Sequence, residues 1–328
     1  MSNYGVAIRG TGSHMPEKIL TNADLEKFVQ TTDEWITTRT GIKQRHIADY
    51  ATATSDIAII AARKALTEAN MTPLDLDAII VATVTADMAF PSTACFVQKG
   101  LGARNATAFD ISAACSGFIY GLSIVKALIE NGTYKNVLLI GAETLSKITD
   151  WTDRNTCVLF GDGAGAMILS QTNQPTSIVS VYTGADGSYD TLLQLPGGGS
   201  RNPATHATID NKLHCLKMEG KEVFKVAVTK MSDAVNKALD QANLKCDDIA
   251  LFIPHQANLR IIEAIAKRLN IPVEKVFINL QKYGNMSSAT VIVALDEARR
   301  EGRIKPGDLI EMVAFGGGFT WGAAILRL

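Results

Sequence analysis

Cys115 stands in the run Phe109-Asp-Ile-Ser-Ala-Ala-Cys-Ser-Gly117, between an apolar strand and a stretch with almost no polar face. The unpaired N–H groups and the dipole of a helix N-terminus favour an anion, so this position predicts a thiol with a lowered pKa, able to act as a nucleophile. His255 ends the buried run Phe252-Ile-Pro-His255, where catalytic groups of open α/β sheets collect. Asn285 lies in Lys282-Tyr-Gly-Asn-Met-Ser-Ser-Ala289, just before a second apolar helix, roughly where Cys115 stands before the first. Each residue also has an ordinary use: a buried cysteine as a small hydrophobe, histidine as a hydrogen-bonded core group, asparagine as a helix N-cap.

The glycine-rich runs divide by context. Gly161-Asp-Gly-Ala-Gly-Ala166 and Gly10-Thr-Gly12 lack the full dinucleotide fingerprint, which argues against a nucleotide-binding Rossmann site. Gly197-Gly-Gly199 reads as a surface loop. Phe315-Gly-Gly-Gly-Phe-Thr-Trp-Gly322 follows one strand and precedes the last; its N–H groups either line a site and hold an oxyanion or simply form a tight turn. The histidines show no metal-ligand spacing and the five cysteines no C-x-x-C pair, so neither a metal site nor a disulfide framework is expected.

The elements that must carry these residues occur twice. Lys64-Ala-Leu-Thr-Glu-Ala-Asn70 recurs as Lys237-Ala-Leu-Asp-Gln-Ala-Asn243, and 237 minus 64 gives an offset of 173. Each copy leads through an acidic turn into an apolar run, Ala78–Ala82 or Ala250–Ile253. Val137–Gly141 and Leu309–Val313 keep an offset of 172, while Gly165–Leu169 and Gly322–Leu326 differ by 157. The shortfall places an insertion around Ser146–Phe160 in the first copy, at a loop where function often resides.

Short apolar strands alternating with helices predict an α/β fold of two similar halves, 1–175 with the cysteine and 176–328 with the histidine and asparagine. Mostly parallel or mixed sheets layered with helices on both faces are expected, with buried helices over Ser116–Ile129 and Ser287–Arg300.

The totals exclude several classes. The 328 residues carry 32 basic and 33 acidic side chains, and this balance is unlike the clustered basic excess of a nucleic-acid binder. Hydrophobic residues make up 47%, which excludes a disordered chain. The N-terminus lacks a basic region followed by an apolar stretch, and no run approaches the roughly 18 apolar residues of a membrane span. The expectation is a soluble, cytoplasmic protein.

Taken together, Ala113-Ala-Cys-Ser-Gly117, Pro254-His-Gln-Ala-Asn258, Tyr283-Gly-Asn-Met-Ser287 and Phe315–Gly322 resemble β-ketoacyl-[acyl-carrier-protein] synthase III, an initiating condensing enzyme of the thiolase fold. Thr32-Asp-Glu-Trp-Ile36, Arg39-Thr-Gly-Ile42 and Ala89-Phe-Pro-Ser-Thr93 extend the likeness along the whole chain. A Cys, His, Asn set is distinct from the Cys, His, His set of elongating synthases and from the second cysteine of thiolases. The resemblance implies an αβαβα layering, a homodimer, and no cofactor, since acyl-CoA is itself a substrate.

It further implies that Cys115 takes an acyl group from acyl-CoA, acetyl-CoA above all, with the amides of Cys115 and Gly317 as the oxyanion hole. His255 and Asn285 would stabilise the enolate formed as malonyl-ACP loses carbon dioxide, and the carbanion would attack the acyl-cysteine to give β-ketoacyl-ACP. Trp35 and Arg154 would sandwich the adenine of coenzyme A, with Thr31, Arg39 and Asn258 near its phosphates and pantetheine. Phe90 would cross the dimer interface to close the partner's acyl pocket. Lys225, Arg260, Lys267 and Arg268 would form a basic patch that steers the acidic acyl carrier protein; the same residues also read as an ordinary solvated helix face. Asn155 departs from the glycine common at that place in the family. The competing readings are a condensing enzyme or acyltransferase of specialised metabolism with the same triad, and a non-catalytic binding protein of the same fold.

Overall fold

The structure is a computed structural model and describes residues 4–328. Strands β1 (Gly5–His14), β2 (Ala78–Ala82), β3 (Thr107–Ile111), β4 (Asn136–Thr144) and β5 (Asp162–Thr172) form one sheet in the order β1-β5-β4-β2-β3. Strands β6 (Ile178–Ala185), β7 (Leu251–Pro254), β8 (Leu309–Gly316) and β9 (Thr320–Arg327) form the other, in the order β6-β9-β8-β7. An isolated parallel bridge from Phe252 to Val276 stands where β3 lies in the first sheet.

The duplication persists at the level of register. Ala78 pairs with Val137 and Leu251 with Ile310, both members displaced by 173, and across the next ladder Val137 faces Leu169 as Ile310 faces Leu326. The sheets are mixed, one of the two arrangements expected. Only β2–β3, β2–β4 and β7–β8 run parallel; β1–β5, β4–β5, β8–β9 and β6–β9 are antiparallel. The cause is local: β8 reaches β9 through Gly317–Phe319 alone, and so short a link permits only an antiparallel neighbour.

Side-chain alternation sorts the strands into layers. Ile79 and Val81 of β2, with Leu138 and Ile140 of β4, pack under helix α2 (Thr54–Ala69) and helix α3 (Thr93–Leu101). Ile80, Val137, Leu139, Ile310 and Met312 face the other way, onto helix α4 (Gly117–Glu130) and helix α7 (Thr290–Arg300). Phe252, Val313 and Phe315 turn outward onto helix α5 (Gly220–Ala242) and helix α6 (Leu259–Arg268). The order helix, sheet, helix pair, sheet, helix gives five layers, and burial on both faces explains why the strands read as continuous apolar runs.

Helix α4 starts one residue later than the sequence suggested, behind a 3₁₀ turn at Ala114–Ser116, and α7 likewise follows a 3₁₀ turn at Ser287–Ala289. The insertion of the first half runs from β4 to β5 through short helical turns at Leu145–Ile148 and Arg154–Cys157. No helix among the described residues is long and apolar enough to cross a membrane.

Candidate active site

Cys115 sits in a tight elbow. Ala114 before it has φ +45°, a left-handed conformation costly for a residue with a Cβ, and the chain then turns directly into α4. The corresponding residue of the second half, by the offset of 173, is Ser287, with φ +46°. Hence the counterpart of Cys115 is Ser288, and Asn285 matches Ser112. This corrects the sequence-based pairing of Asn285 with Cys115; two similar helix starts exist, but Asn285 stands three residues before its own.

A connected set of contacts draws the three residues of the expected triad together. Behind the cysteine, β8 passes so close that a Cβ on Gly316 would lie 2.5 Å from the Cys115 nitrogen. The same strand accepts, at the Val313 carbonyl, a 2.8 Å hydrogen bond from the His255 N–H. Thr290 Oγ1 lies 2.6 Å from His255 Nδ1 and 2.9 Å from the Ser287 carbonyl, and its one proton serves one of these acceptors at a time. The Ser287 N–H in turn donates 2.8 Å to Asn285 Oδ1, so the Asn285 oxygen is occupied and its Nδ2 is directed elsewhere. Asn285 is further pinned by its backbone: its N–H donates to the Leu159 carbonyl at 2.9 Å, and its carbonyl accepts from the Gly161 N–H at 3.0 Å.

Electrostatics contradict one expectation. Burial pushes the Cys115 thiol up to about 12, with the nearby Glu143 charge adding to the rise and Ser287 opposing it. The predicted lowering is overturned because the sulfur is enclosed, and removal from water outweighs the helix-end dipole. His255, also buried, is lowered to about 3 by desolvation and is therefore neutral near pH 7. With the Thr290 hydroxyl donating to Nδ1, the neutral imidazole carries its proton on Nε2, the nitrogen left free to donate.

The glycine run is tied to this elbow. Thr320 Oγ1 donates 2.9 Å to the Ala113 carbonyl, and Ser116 Oγ lies 2.7 Å from both Ala113 O and Thr320 Oγ1. Gly317 is partly exposed, and its N–H enters no turn or loop hydrogen bond.

The other predicted residues lie farther along the surface. Trp35 is half-buried on helix α1 (Asp33–Thr40), with the guanidinium of Arg154 4.6 Å and that of Arg39 5.4 Å from its ring centroid. An aromatic ring entering between Trp35 and Arg154 requires the arginine to swing away. Thr31 Oγ1 is buried without a hydrogen-bond partner. Asn258 caps α6, accepting from the Arg260 N–H at 2.9 Å, and donates 3.2 Å to the Arg39 carbonyl. Asn155 lies in the helical turn begun by Asp153, outside the positive-φ region, so its backbone makes no demand for glycine.

Phe90 is 84% exposed and Met88 49%, an apolar surface with no cover in the single chain. Arg260, Lys267 and Arg268 are exposed on α6, while Lys225 on α5 pairs with Glu222 at 2.8 Å. All five cysteines are free, and the described residues hold no cluster of three metal-ligating side chains.

Sequence reasoning missed several groups. Thr290, which orients His255, sits inside an apolar helix. Arg45, fully buried, donates to Leu20 O, Asn22 Oδ1 and Val158 O, and lies beneath Gly161 and Gly284, so it braces the segment carrying Asn285. Glu143 and Ser287, which flank the cysteine, read only as a strand end and part of a serine pair. The one available signal was the offset of 173, extended residue by residue.

Comparison with known proteins decides the family. The model of 3-oxoacyl-[acyl-carrier-protein] synthase III matches residues 109–187, and that of its C-terminal part matches 239–328. The beta-ketoacyl-[acyl-carrier-protein] synthase III of Caldanaerobacter subterraneus subsp. tengcongensis is 60% identical over 320 residues, covering 98% of this chain and 97% of its own. The chain belongs to the β-ketoacyl-[acyl-carrier-protein] synthase III family. A synthase III of Natranaerobius thermophilus is 56% identical across 100% of both chains. Among solved structures, the synthase III of Aquifex aeolicus VF5 superposes with a TM-score of 0.91 at 52% identity, covering 99% of this chain and 100% of the other. This synthase III fold, seen in full-length relatives, is the expected thiolase-like architecture.

Proposed function

We propose that this chain condenses an acyl-CoA primer, acetyl-CoA in the first instance, with malonyl-ACP, giving β-ketoacyl-ACP, coenzyme A and carbon dioxide, the first carbon–carbon bond of a fatty acid. The observation that carries the reading is strand β8, which sets Gly316 against Cys115 and binds His255 at Val313, together with the hydrogen bonds that join His255 through Thr290 and Ser287 to Asn285. Cys115 forms the acyl thioester, the N–H groups of Cys115 and Gly317 hold the oxyanion, and coenzyme A leaves. His255 through Nε2 and Asn285 through Nδ2 then donate to the malonyl thioester oxygen as carbon dioxide departs. A neutral histidine suits that task, because charge develops only in the transition state. The carbanion attacks the acyl-cysteine and Cys115 leaves.

Residues 1–175 supply the nucleophile and 176–328 the two donors; the sheet break between Thr172 and Ile178 supports that division. Trp35, Arg154 and Arg39 form an aromatic and cationic surface suited to the adenine and phosphates of coenzyme A, with Thr31 and Asn258 beside it. The bare Phe90 supports a second copy as the wall of the acyl pocket, and Lys225, Arg260, Lys267 and Arg268 supply the positive face for acidic ACP.

Intact-mass measurement after incubation with acetyl-CoA tests the assignment. The wild type should gain one acetyl group that Cys115→Ala does not, and malonyl-ACP should discharge it as acetoacetyl-ACP. Replacement of His255 or Asn285 by alanine should leave the adduct and slow its discharge by roughly 10²–10³-fold. A wild type that stays unmodified, or is acylated but never condenses, overturns the reading.

A further inference from the structure

Arg45 is a buried charge held without a counterion. It is fully buried and enters no ion pair among the described residues, and burial lowers its pKa only to about 10, so it stays charged near neutral pH. Taking such a charge out of water is costly, and here hydrogen bonds to neutral acceptors are what offset it. Nη1 donates 3.2 Å to the Leu20 carbonyl and 2.9 Å to Asn22 Oδ1, while Nη2 donates 2.7 Å to the Val158 carbonyl.

These acceptors lead in two directions. Asn22 is 1% exposed, and its Nδ2 donates 2.8 Å to Asp33 Oδ1 and 2.8 Å to the Ile42 carbonyl. It therefore grips the first residue of α1 and the residue after its C-cap, and α1 carries Trp35 and Arg39. Val158, on the other side, follows directly on the helical turn Arg154–Cys157, whose arginine faces the Trp35 ring. The next residue, Leu159, accepts the Asn285 N–H at 2.9 Å, and the Gly161 N–H donates to the Asn285 carbonyl at 3.0 Å. The fit around the arginine stem is close: a Cβ on Gly161 would lie 3.0 Å from the Arg45 Cβ, and one on Gly284 would lie 3.3 Å from it.

We propose that Arg45 is a positioning residue for condensation, whose guanidinium joins the helix bearing the coenzyme A surface to the segment that holds Asn285. This rests on the reading of Asn285 as a donor to the malonyl thioester oxygen. The Asn285 backbone is placed by Leu159 and Gly161, and Val158 beside them is placed by Arg45, so a shift of the guanidinium moves the Asn285 side chain. His255 is held independently, by β8 at its N–H and by Thr290 at its ring. Loss of Arg45 therefore displaces one of the two donors and leaves the other donor and the nucleophile in place. Asn22 loses its anchor in the same event, so α1 and Trp35 loosen together with Asn285. An arginine is required because its planar fork reaches acceptors in both segments at once, whereas an ammonium is a single point of attachment.

The two half-reactions, acetylation by acetyl-CoA and discharge of the acetyl-enzyme by saturating malonyl-ACP, test this in the full chain with Arg45→Lys, alone and combined with Asn285→Ala. Alone, Arg45→Lys should slow discharge by about 10–10²-fold, the scale of a misplaced group, while the maximal acetylation rate changes by less than about threefold. The KM for acetyl-CoA should rise, because the coenzyme A surface loses its support. On the Asn285→Ala background the same substitution should change discharge by less than about twofold, since the group it positions is already gone. Equal slowing on both backgrounds, or discharge by Arg45→Lys at the wild-type rate, overturns the proposal. If Arg45→Lys does not fold, Asn22→Ala carries the test: it should raise the KM for acetyl-CoA and slow discharge only where Asn285 is present, and wild-type values for both overturn the proposal. An Asn285→Ala protein that discharges as fast as the wild type removes the reading of Asn285 itself, and this role of Arg45 with it.

Discussion

The elbows at Cys115 and Ser288 share a backbone but not a chemistry. Each opens with a left-handed residue, passes through a 3₁₀ turn into a central helix, and is backed by a strand of the opposite half. At the first elbow the backing residue is Gly316; at the second it is Glu143, the same position displaced by 173. Gly316 sets no side chain against the Cys115 elbow, whereas the Glu143 carboxyl accepts from the Ser288 hydroxyl and holds it. Duplication therefore supplied two helix starts of similar backbone, and the side chain behind each sets them apart.

The largest effects should come from exchanging the elbow residues. Cys115→Ser gives the first elbow the side chain of the second, and acylation should fall by about 10⁴–10⁶-fold, the scale of losing a nucleophile. The converse, Ser288→Cys, should gain no acetyl group in intact-mass analysis, because Glu143 and Ala82 enclose the position. A second adduct on that variant breaks the comparison.

Next come the glycines beneath each elbow. A Cβ on Gly316 would lie 2.5 Å from the Cys115 nitrogen, and one on Gly141 would lie 2.6 Å from the Ser288 carbonyl oxygen. Alanine at either site should destabilise the protein by about 1–3 kcal/mol in urea titrations. Only Gly316→Ala moves the nucleophile and its amide directly, so its acylation should drop by roughly 10²-fold and that of Gly141→Ala far less. Equal losses would show that the two supports are interchangeable.

These contrasts mark what the sequence could reveal. The repeat was legible because strands buried on both faces must stay apolar, so Ala78–Ala82 and Leu309–Val313 kept recognisable patterns. Cys115, His255 and Asn285 stand out in the sequence as candidates because each sits where a strand or loop meets a helix. Glu143 was not, because a carboxyl at a strand end normally faces water, and only packing against Ser288 of the other half encloses it. The direction of the Cys115 shift was equally hidden: the helix dipole is a local property, whereas the burial that outweighs it comes from both halves together.

A smaller effect should follow from Thr290, the residue that connects the second elbow to His255. Thr290→Val removes the partner of Nδ1 and leaves a buried nitrogen unpaired, at a cost of about 1–3 kcal/mol. With the ring less firmly oriented, condensation should slow by about tenfold while cysteine acylation changes less. Separate measurement of the two half-reactions checks this, and an equal effect on both would assign Thr290 to the elbow rather than to the histidine.

The smallest effect lies away from the cleft, where the halves differ at Leu138 and Glu311, again 173 apart. Leu138 packs in the outer core of the first sheet, whereas Glu311, 1% exposed, leaves Oε1 without a partner near Cys246, Ile271 and Lys275. Burial raises the Glu311 pKa well above its ordinary 4.5. Near and below that ordinary value the acid is protonated folded or unfolded and costs nothing. As pH rises the unfolded chain ionises first, so stability falls toward the folded pKa, by at most about 1.4 kcal/mol per pH unit. His255, depressed from 6.5 to about 3, acts oppositely and loses stability only as pH falls below its ordinary value. Because that contribution is common to both proteins, the difference between wild type and Glu311→Gln isolates Glu311. Urea titrations from pH 5 to 8 should show the variant gaining on the wild type as pH rises; parallel curves would mean that Glu311 ionises as easily in the folded protein as in the unfolded chain.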